Sequence, residues 1–273
     1  MTTMSASVED SPLYVAALAR GISLLGAFTE RRPAMTLPEL AEATGLTKSA
    51  VQRFAHTLWV LGYLRKHPQT KKFSLAPRSL ELGMQYTQTS ALVLGGNPFL
   101  HSLNRSTQET CSLAEPEGRE MVYVARFATH MQMFVNMPVG TRLPIYSTAA
   151  GRAVLSRLDH DRVHELLSSS ERRAHTNMSI TDLDALMNEV QFARDHGYAR
   201  SNCEIYPGDI TISAPVVDPV GTPVGAVNVS VPASRWSFEE AQAVFGPQVV
   251  ETAHAISASN TIGITPPFYE TGY

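Results

Sequence analysis

The chain has 273 residues, 44% hydrophobic and 17% charged, with 22 Lys and Arg against 25 Asp and Glu for a net charge of −3. That length favours two domains and that balance an ordinary globular protein; no apolar run of about 18 residues marks a membrane span, and the polar, acidic residues 1–11 lack the basic start and apolar core of a secretory leader. Cys111 and Cys203 are the only cysteines, too few for a disulfide framework or a cysteine-rich zinc site, and read as reduced thiols of a cytoplasmic protein.

Residues 1–12 are expected to be a disordered tail. Residues 14–28 are expected to form a helix, with Val15, Leu18, Ile22 and Leu25 on one apolar stripe. Pro33 ends that element. Thr36 then stands three residues before Glu39, with Pro38 inside the first turn, the spacing of a capping box. The short helix that follows, 38–44, buries Leu40 and Ala41 and closes at Gly45. Thr47 or Ser49 caps the next helix. On it Val51, Phe54, Leu58 and Leu61 face a core, while Lys48, Ser49, Gln52, Arg53 and His56 face outward.

This is the pattern of a helix-turn-helix: the first helix holds the second so that its exposed N-terminal half enters the major groove. There Gln52 and Arg53 are the candidates for base edges, and Thr47, Lys48, Ser49 and His56 lie beside them. Gly62 stops the helix, and residues 63–66 and 72–75 are strand candidates around a turn at 67–71. That hairpin is a wing whose tip carries Lys71 and Lys72, suited to phosphates rather than to sequence. The charge supports the reading. Residues 46–80 hold seven Lys and Arg and no acid, so with −3 overall the remainder of the chain carries −10. A basic module on an acidic body is the footprint of a nucleic-acid partner.

The run TLPELAEATGLTKSAVQRFAHTLWVLGYL, followed by the wing and LAPRSLELG, resembles the IclR family of bacterial regulators, and the resemblance extends over about residues 13–256. It implies a winged helix-turn-helix domain at 13–76, a linker helix at 77–96 and a small-molecule domain at 97–260. It also implies a homodimer or dimer of dimers on a pseudo-palindromic double-stranded DNA operator.

Residues 77–89 read as a helix with Leu80, Leu82, Met84 and Tyr86 apolar, and Gly95-Gly96-Asn97-Pro98 is expected to break it. Residues 109–114 and 120–127 are β-rich around a turn at 115–118, and 131–135 is a further strand candidate. Residues 182–196 form a helix with Leu183, Leu186, Val190 and Ala193 on one face; Gly197 ends it and a strand begins at Tyr198. Strands at 210–217 and 224–231 make a hairpin through a turn at 218–223. A last helix, 238–257, is expected to kink or split at Pro247. The body is therefore α+β, an antiparallel sheet with flanking helices, and the family resemblance makes it GAF-like or profilin-like. Residues 261–273 are expected to be a tail.

Three segments bear on a ligand. Residues 144–152 run into a helix through small residues; the helix start is either an anion site or an ordinary cap packed through alanines. Thr211 and Ser213, and Asn228 and Ser230, put hydroxyls and an amide on one face of the hairpin, either a wet outer side or a polar pocket floor. Ser201, Cys203, Glu204 and Tyr206 lie in a polar stretch before the hairpin, either solvated or folded over the sheet. The runs VGTRLPIYSTAAGRAVL and GYARSNCEIYPGDITISAPVVDPVGTPVGAVNVSVPASR resemble the two signatures that flank the family's effector pocket. By position they imply Thr148, Ala149, Ala150, Gly151, Ser201, Thr211, Asn228 and Ser230 as contacts to a small carboxylate. Arg152 stands where a Lys is commoner, a change expected to matter little. Tyr123, Met131, Met133, Phe134 and Tyr146 are either core or an apolar wall for an aromatic ring.

Two alternatives carry less. A regulator without an effector leaves the large acidic body unexplained. A hydrolase using Cys203 beside Glu204 lacks a nucleophile elbow or Gly-rich phosphate loop, so no enzyme activity and no cofactor are expected. His160 and His164, spaced i and i+4, read as exposed helix histidines rather than metal ligands.

Overall fold

The computed structural model describes residues 11–129 and 137–259. The strand expected at 131–135 and nearly all of both tails lie outside them. The described residues form two compact units that divide in sequence at Tyr86 and Thr87.

The first unit holds α1 (Ala16–Gly26), α2 (Leu37–Thr44), α3 (Lys48–Val60) and a hairpin of β1 (Leu64–Lys66) and β2 (Phe73–Leu75). Its core joins Leu24, Met35, Leu40, Val51, Ala55, Leu64 and Phe73. The capping box forms as spaced: the Glu39 amide donates to Thr36 Oγ1, and Thr36 N–H donates to Glu39 Oε2 at 2.6 Å. Gly45 takes φ +69°, a left-handed turn that lets α3 start at once. Thr47 caps α3 by accepting from the Ala50 amide at 3.3 Å.

Two expectations here are corrected. The stripe on α1 is largely exposed, with Val15, Leu18 and Ile22 each about 60% accessible or more, and Leu24 is the residue that enters the core. Periodicity identifies an apolar face but not which molecule covers it. Leu61 is 48% exposed because α3 ends at Val60 and the chain turns through Gly62; Ala55 fills the interior instead.

α4 (Ser79–Thr89) follows, with no buried residue and with Leu80, Leu82, Met84 and Tyr86 exposed. The next helix, α5 (Ala91–Thr107), starts where Ser90 caps it through the Val93 amide. The helical break is therefore at Ser90, and Gly95-Gly96-Asn97-Pro98 lies inside α5. Packing overrides propensity there: Leu92, Val93, Gly95, Gly96 and Leu100 are buried, and a Cβ on Gly96 would meet Leu113 at 2.5 Å. Leu94 and Pro98 are exposed, so the carbonyl that the proline ring leaves unbonded is on the solvent side of the helix.

The second unit is built on a six-stranded antiparallel sheet in the order β5-β4-β3-β8-β7-β6. The strands are β3 (Thr110–Glu117), β4 (Glu120–Phe127), β5 (Arg142–Pro144), β6 (Ala199–Asn202), β7 (Asp209–Val217) and β8 (Pro223–Pro232). The helices are α5, α6 (Ala149–Leu155), α7 (His160–Ser168), α8 (Leu183–His196) and α9 (Phe238–Ser257). β3 runs further than expected, through Pro116, and the turn is shortened to Gly118-Arg119. Beyond Ala114, β3 pairs with β4 alone, so the missing amide of Pro116 breaks no ladder on its other edge. α9 continues through Pro247 without splitting.

Strand alternation sorts the two faces of the sheet. Ile210, Ile212, Ala214 and Val216 of β7, with Val227, Val229 and Val231 of β8, pack against α5 and α9. The opposite side chains, Thr211, Ser213, Asn228 and Ser230, point toward the side covered by α6, with α8 against α6 and α7 against α8.

Candidate functional site

In the first unit, Thr47, Lys48, Ser49, Gln52, Arg53 and His56 are all exposed along the N-terminal two-thirds of α3. Val51 and Ala55 anchor the other side, and α2 packs against α3. The wing is ordered by its own backbone: His67 donates its amide to Lys72 O at 2.8 Å and accepts from the Lys71 amide at 3.0 Å. Lys71 takes φ +59° and hands its ammonium to Pro68 O at 2.6 Å. Lys72 Nζ lies 3.9 Å from Glu39 Oε1 on α2. Both are surface interactions of small value, which a phosphate can outcompete. Arg78, one of the seven basic residues of 46–80, donates to Leu61 O at 2.7 Å and so closes the C-terminus of α3.

In the second unit, antiparallel register lines up two polar rows on one face. Ser201, Thr211, Ser230 and Thr110 stand opposite one another across β6, β7, β8 and β3. Two residues along, Ser213, Asn228, Ser112 and Arg126 do the same across β7, β8, β3 and β4. The first row opens on a cavity of ≈ 60 Å³. Of the residues implied as contacts, Thr148, Ala149, Ser201, Thr211 and Ser230 line it. Ala150, Gly151 and Asn228 do not. Gly151 has a packing reason, since a Cβ there would sit 1.9 Å from Ile145 O. Asn228 accepts from Ser213 through a short hydrogen bond, and its buried Nδ2 has no partner among the described residues.

α6 is only seven residues long, and Thr148 Oγ1 takes the Gly151 amide at 3.0 Å. Ser201 sits on β6 rather than in a loop; the loop over the sheet is 203–208, which adds Ile205, Tyr206 and Gly208 to the cavity. Tyr123 lines the cavity. Tyr146 does not: its hydroxyl donates to Arg173 O at 2.8 Å and accepts the Arg173 amide, a structural pair. Met131, Met133 and Phe134 lie outside the described residues.

The sequence reading did not single out the charged lining. Glu109 and Arg235 meet at 2.7 Å, and Trp236 Nε1 donates to the other oxygen of Glu109 at 3.0 Å. Arg126 from β4 and Asp209 from β7 also line the cavity. Burial pushes the Asp209 carboxyl up to about 6, against the opposing pull of the Thr211 hydroxyl and the Arg126 charge. Burial also lowers the Arg126 guanidinium and raises the phenols of Tyr123 and Tyr206. A signal for Asp209 existed: a carboxylate two residues from Thr211 on the alternation that makes the pocket floor.

A buried ion pair braces this cavity. Arg152, 1% exposed on α6, meets Glu204 at 2.7 and 2.5 Å through both nitrogens of its fork, and also donates to Tyr146 O and Arg200 O at 3.1 Å. Ile180 N–H donates to Glu204 Oε2, while Thr176 and Ser179 hold the Cys203 and Glu204 carbonyls. A lysine cannot reproduce that fork, so Arg152 matters more than expected. The same bonds commit Glu204 to Arg152 and leave it no role beside Cys203. Cys111 is buried, which pushes its thiol up to about 12. Among the described residues no group of three His, Cys, Asp or Glu is placed to hold a metal, and no helix is long and apolar enough to cross a membrane.

Most of the chain is similar to known proteins. Residues 17–68 match the model of the IclR helix-turn-helix domain, and residues 84–258 match that of the bacterial transcriptional regulator IclR C-terminal domain. The Pca regulon regulatory protein of Pseudomonas putida is 32% identical over 237 residues, 86% of this chain and 81% of that protein. The p-hydroxybenzoate hydroxylase transcriptional activator of Acinetobacter baylyi is 31% identical over 79% of this chain and 80% of its own. A crystal structure of a transcriptional regulator from Rhodococcus sp. RHA1 superposes with a TM-score of 0.81 at 34% identity, covering 91% of this chain and 98% of that one. The structure of an IclR homologue from Microbacterium hydrocarbonoxydans in complex with 4-hydroxybenzoate shares the fold, with a TM-score of 0.75 at 22% identity over 88% of this chain and 97% of that one.

Proposed function

The chain belongs to the IclR family of bacterial DNA-binding transcription regulators, and from that premise we propose that its grip on an operator is controlled by a small organic acid held in the cavity of the second unit. The observation that carries this is the cavity itself: hydroxyl-bearing residues of β6, β7 and β8 and the basic Arg126 line a partly open cavity beside α6. Such an arrangement orients a compact anionic ligand. Tyr123, Tyr206, Met137 and Leu143 in the lining suit an aromatic acid. The p-hydroxybenzoate hydroxylase activator of Acinetobacter and the 4-hydroxybenzoate complex of the Microbacterium homologue point the same way.

On DNA, Gln52 and Arg53 read base edges, Thr47, Lys48, Ser49 and His56 flank them, and Lys71 and Lys72 hold phosphates. Two copies bind the halves of a pseudo-palindromic site, as a homodimer or dimer of dimers in the cytoplasm. The exposed Leu18 and Ile22 of α1 and the exposed face of α4 support self-association. The acid acts by binding the DNA-competent and incompetent arrangements with different affinity. A gel-shift titration on the DNA upstream of the chain's own gene and its neighbours tests this, with a thermal-shift screen of organic acids beside it. Retardation at low salt and stabilisation by an acid are expected; no retardation, or no acid that stabilises the protein, contradicts the proposal.

A further inference from the structure

We propose that the cavity selects organic acids that carry a hydroxyl, because one wall, made by Asp209, Thr211 and Ser230, offers hydrogen-bond acceptors only. The inference rests on the acid-binding reading above and goes on to assign the ligand's second polar group.

The argument follows the protons. An ionised carboxylate has none to give, so Thr211 Oγ1 is the donor in its 3.0 Å contact with Asp209 Oδ2. The Thr211 proton is then spent, and the 2.9 Å contact between Thr211 and Ser230 requires the Ser230 hydroxyl to donate to Thr211. Both hydroxyl protons are drawn toward Asp209, and what remains toward the cavity is lone pairs. The other lining carboxylate, Glu109, is held away from this wall by Arg235 and Trp236, one on each oxygen. Positive charge enters from Arg126 on β4.

A bound acid therefore finds a cation for its carboxylate and, across the cavity, a wall that rewards a donor. A plain acid leaves that wall desolvated and unpaired, and a site built to bond a hydroxyl rejects an analogue lacking it more strongly than an apolar pocket can. An ammonium is the poorer occupant. It must shed more water, and the charge of Asp209 is already offset by Arg126.

The test is calorimetric titration of the full chain with two matched pairs, 4-hydroxybenzoate against benzoate and lactate against propionate, in wild type, Asp209→Ala, Thr211→Val and Ser230→Ala. Thermal melts check that each variant folds, and the near-isosteric Thr211→Val carries the test if Asp209→Ala does not. In wild type at pH 7.5 at least one hydroxy acid binds about tenfold or more tighter than its deoxy partner. In the variants the ratio falls toward one. In wild type the ratio also falls between pH 7.5 and 5, as Asp209 takes a proton and frees the hydroxyl chain to turn. The groups facing Asp209 are Thr211 on its own strand, Tyr123 and Arg126 on β4 and Tyr206 in the loop. Equal affinities within both pairs, or a preference that survives both Asp209→Ala and Thr211→Val, overturns the inference and leaves the acid-binding reading standing. Failure of all four acids to bind overturns both.

Discussion

Asp209 shows at the scale of one residue how the cavity is set against stability. Its carboxyl is raised from 3.8 to about 6, chiefly by burial. The folded state then holds the proton more tightly than the unfolded one, so this group's contribution is fully present below pH 3.8 and is lost as pH rises through 6. Above pH 7 an ionised, buried Asp209 is a cost. The Asp209→Asn variant is expected to melt several degrees higher than wild type at pH 8 without ligand, and the difference should shrink toward zero by pH 5. A difference that is constant with pH, or of opposite sign, contradicts this. Such a residue, expensive to the fold and placed on a cavity wall, is what a binding function leaves behind.

The buried pair of Arg152 and Glu204 operates at the scale of elements. It ties α6, which brings Thr148 and Ala149 to the cavity, to the 203–208 loop, which brings Ile205 and Tyr206. Glu204→Gln leaves the Arg152 charge buried without a counter-charge, which costs about 3–5 kcal/mol. Thermal melts should show that loss in the second unit, and acid affinity should fall with it; an unchanged melt means the guanidinium finds other partners. In the first unit, α3 and the wing should separate by kind of contact. Arg53→Ala is expected to cost about 1–3 kcal/mol on operator DNA and to relax sequence discrimination. Lys71→Ala should weaken operator and random DNA alike and lower the salt slope by about one. The reverse pattern, with Lys71 specific and Arg53 not, would reassign both.

Much at this scale was legible in the sequence because it is local. Thr36, Glu39, Gly45 and Thr47 cap and punctuate α2 and α3 as their spacing implies. The break misplaced to Gly95-Gly96 was not local: Gly96 packs closely against Leu113, and helix propensity lost to that contact. The cavity was half legible for the same reason. Thr211 and Ser230 stood out through strand alternation, but Arg126 and Asp209 meet only through a sheet whose order is β5-β4-β3-β8-β7-β6, and no spacing along the chain reveals it.

At the scale of the whole molecule, an apolar stripe on α1 and another on α4 face solvent in a single copy. A second copy of this chain is their natural cover. Ile22→Glu is expected to shift the protein toward monomer in sedimentation analysis and to weaken operator binding without altering acid affinity. A variant that stays dimeric places the interface elsewhere.

The central claim is that an acid in one unit and DNA on the other are energetically coupled, and coupling between two binding equilibria is reciprocal. The direct measurement is operator affinity of the full chain by fluorescence anisotropy, with and without a saturating concentration of an acid that stabilises the protein. A change of about five- to 150-fold is predicted, mirrored by an equal change in acid affinity when operator is present. Operator affinity that stays the same at full acid occupancy contradicts the account.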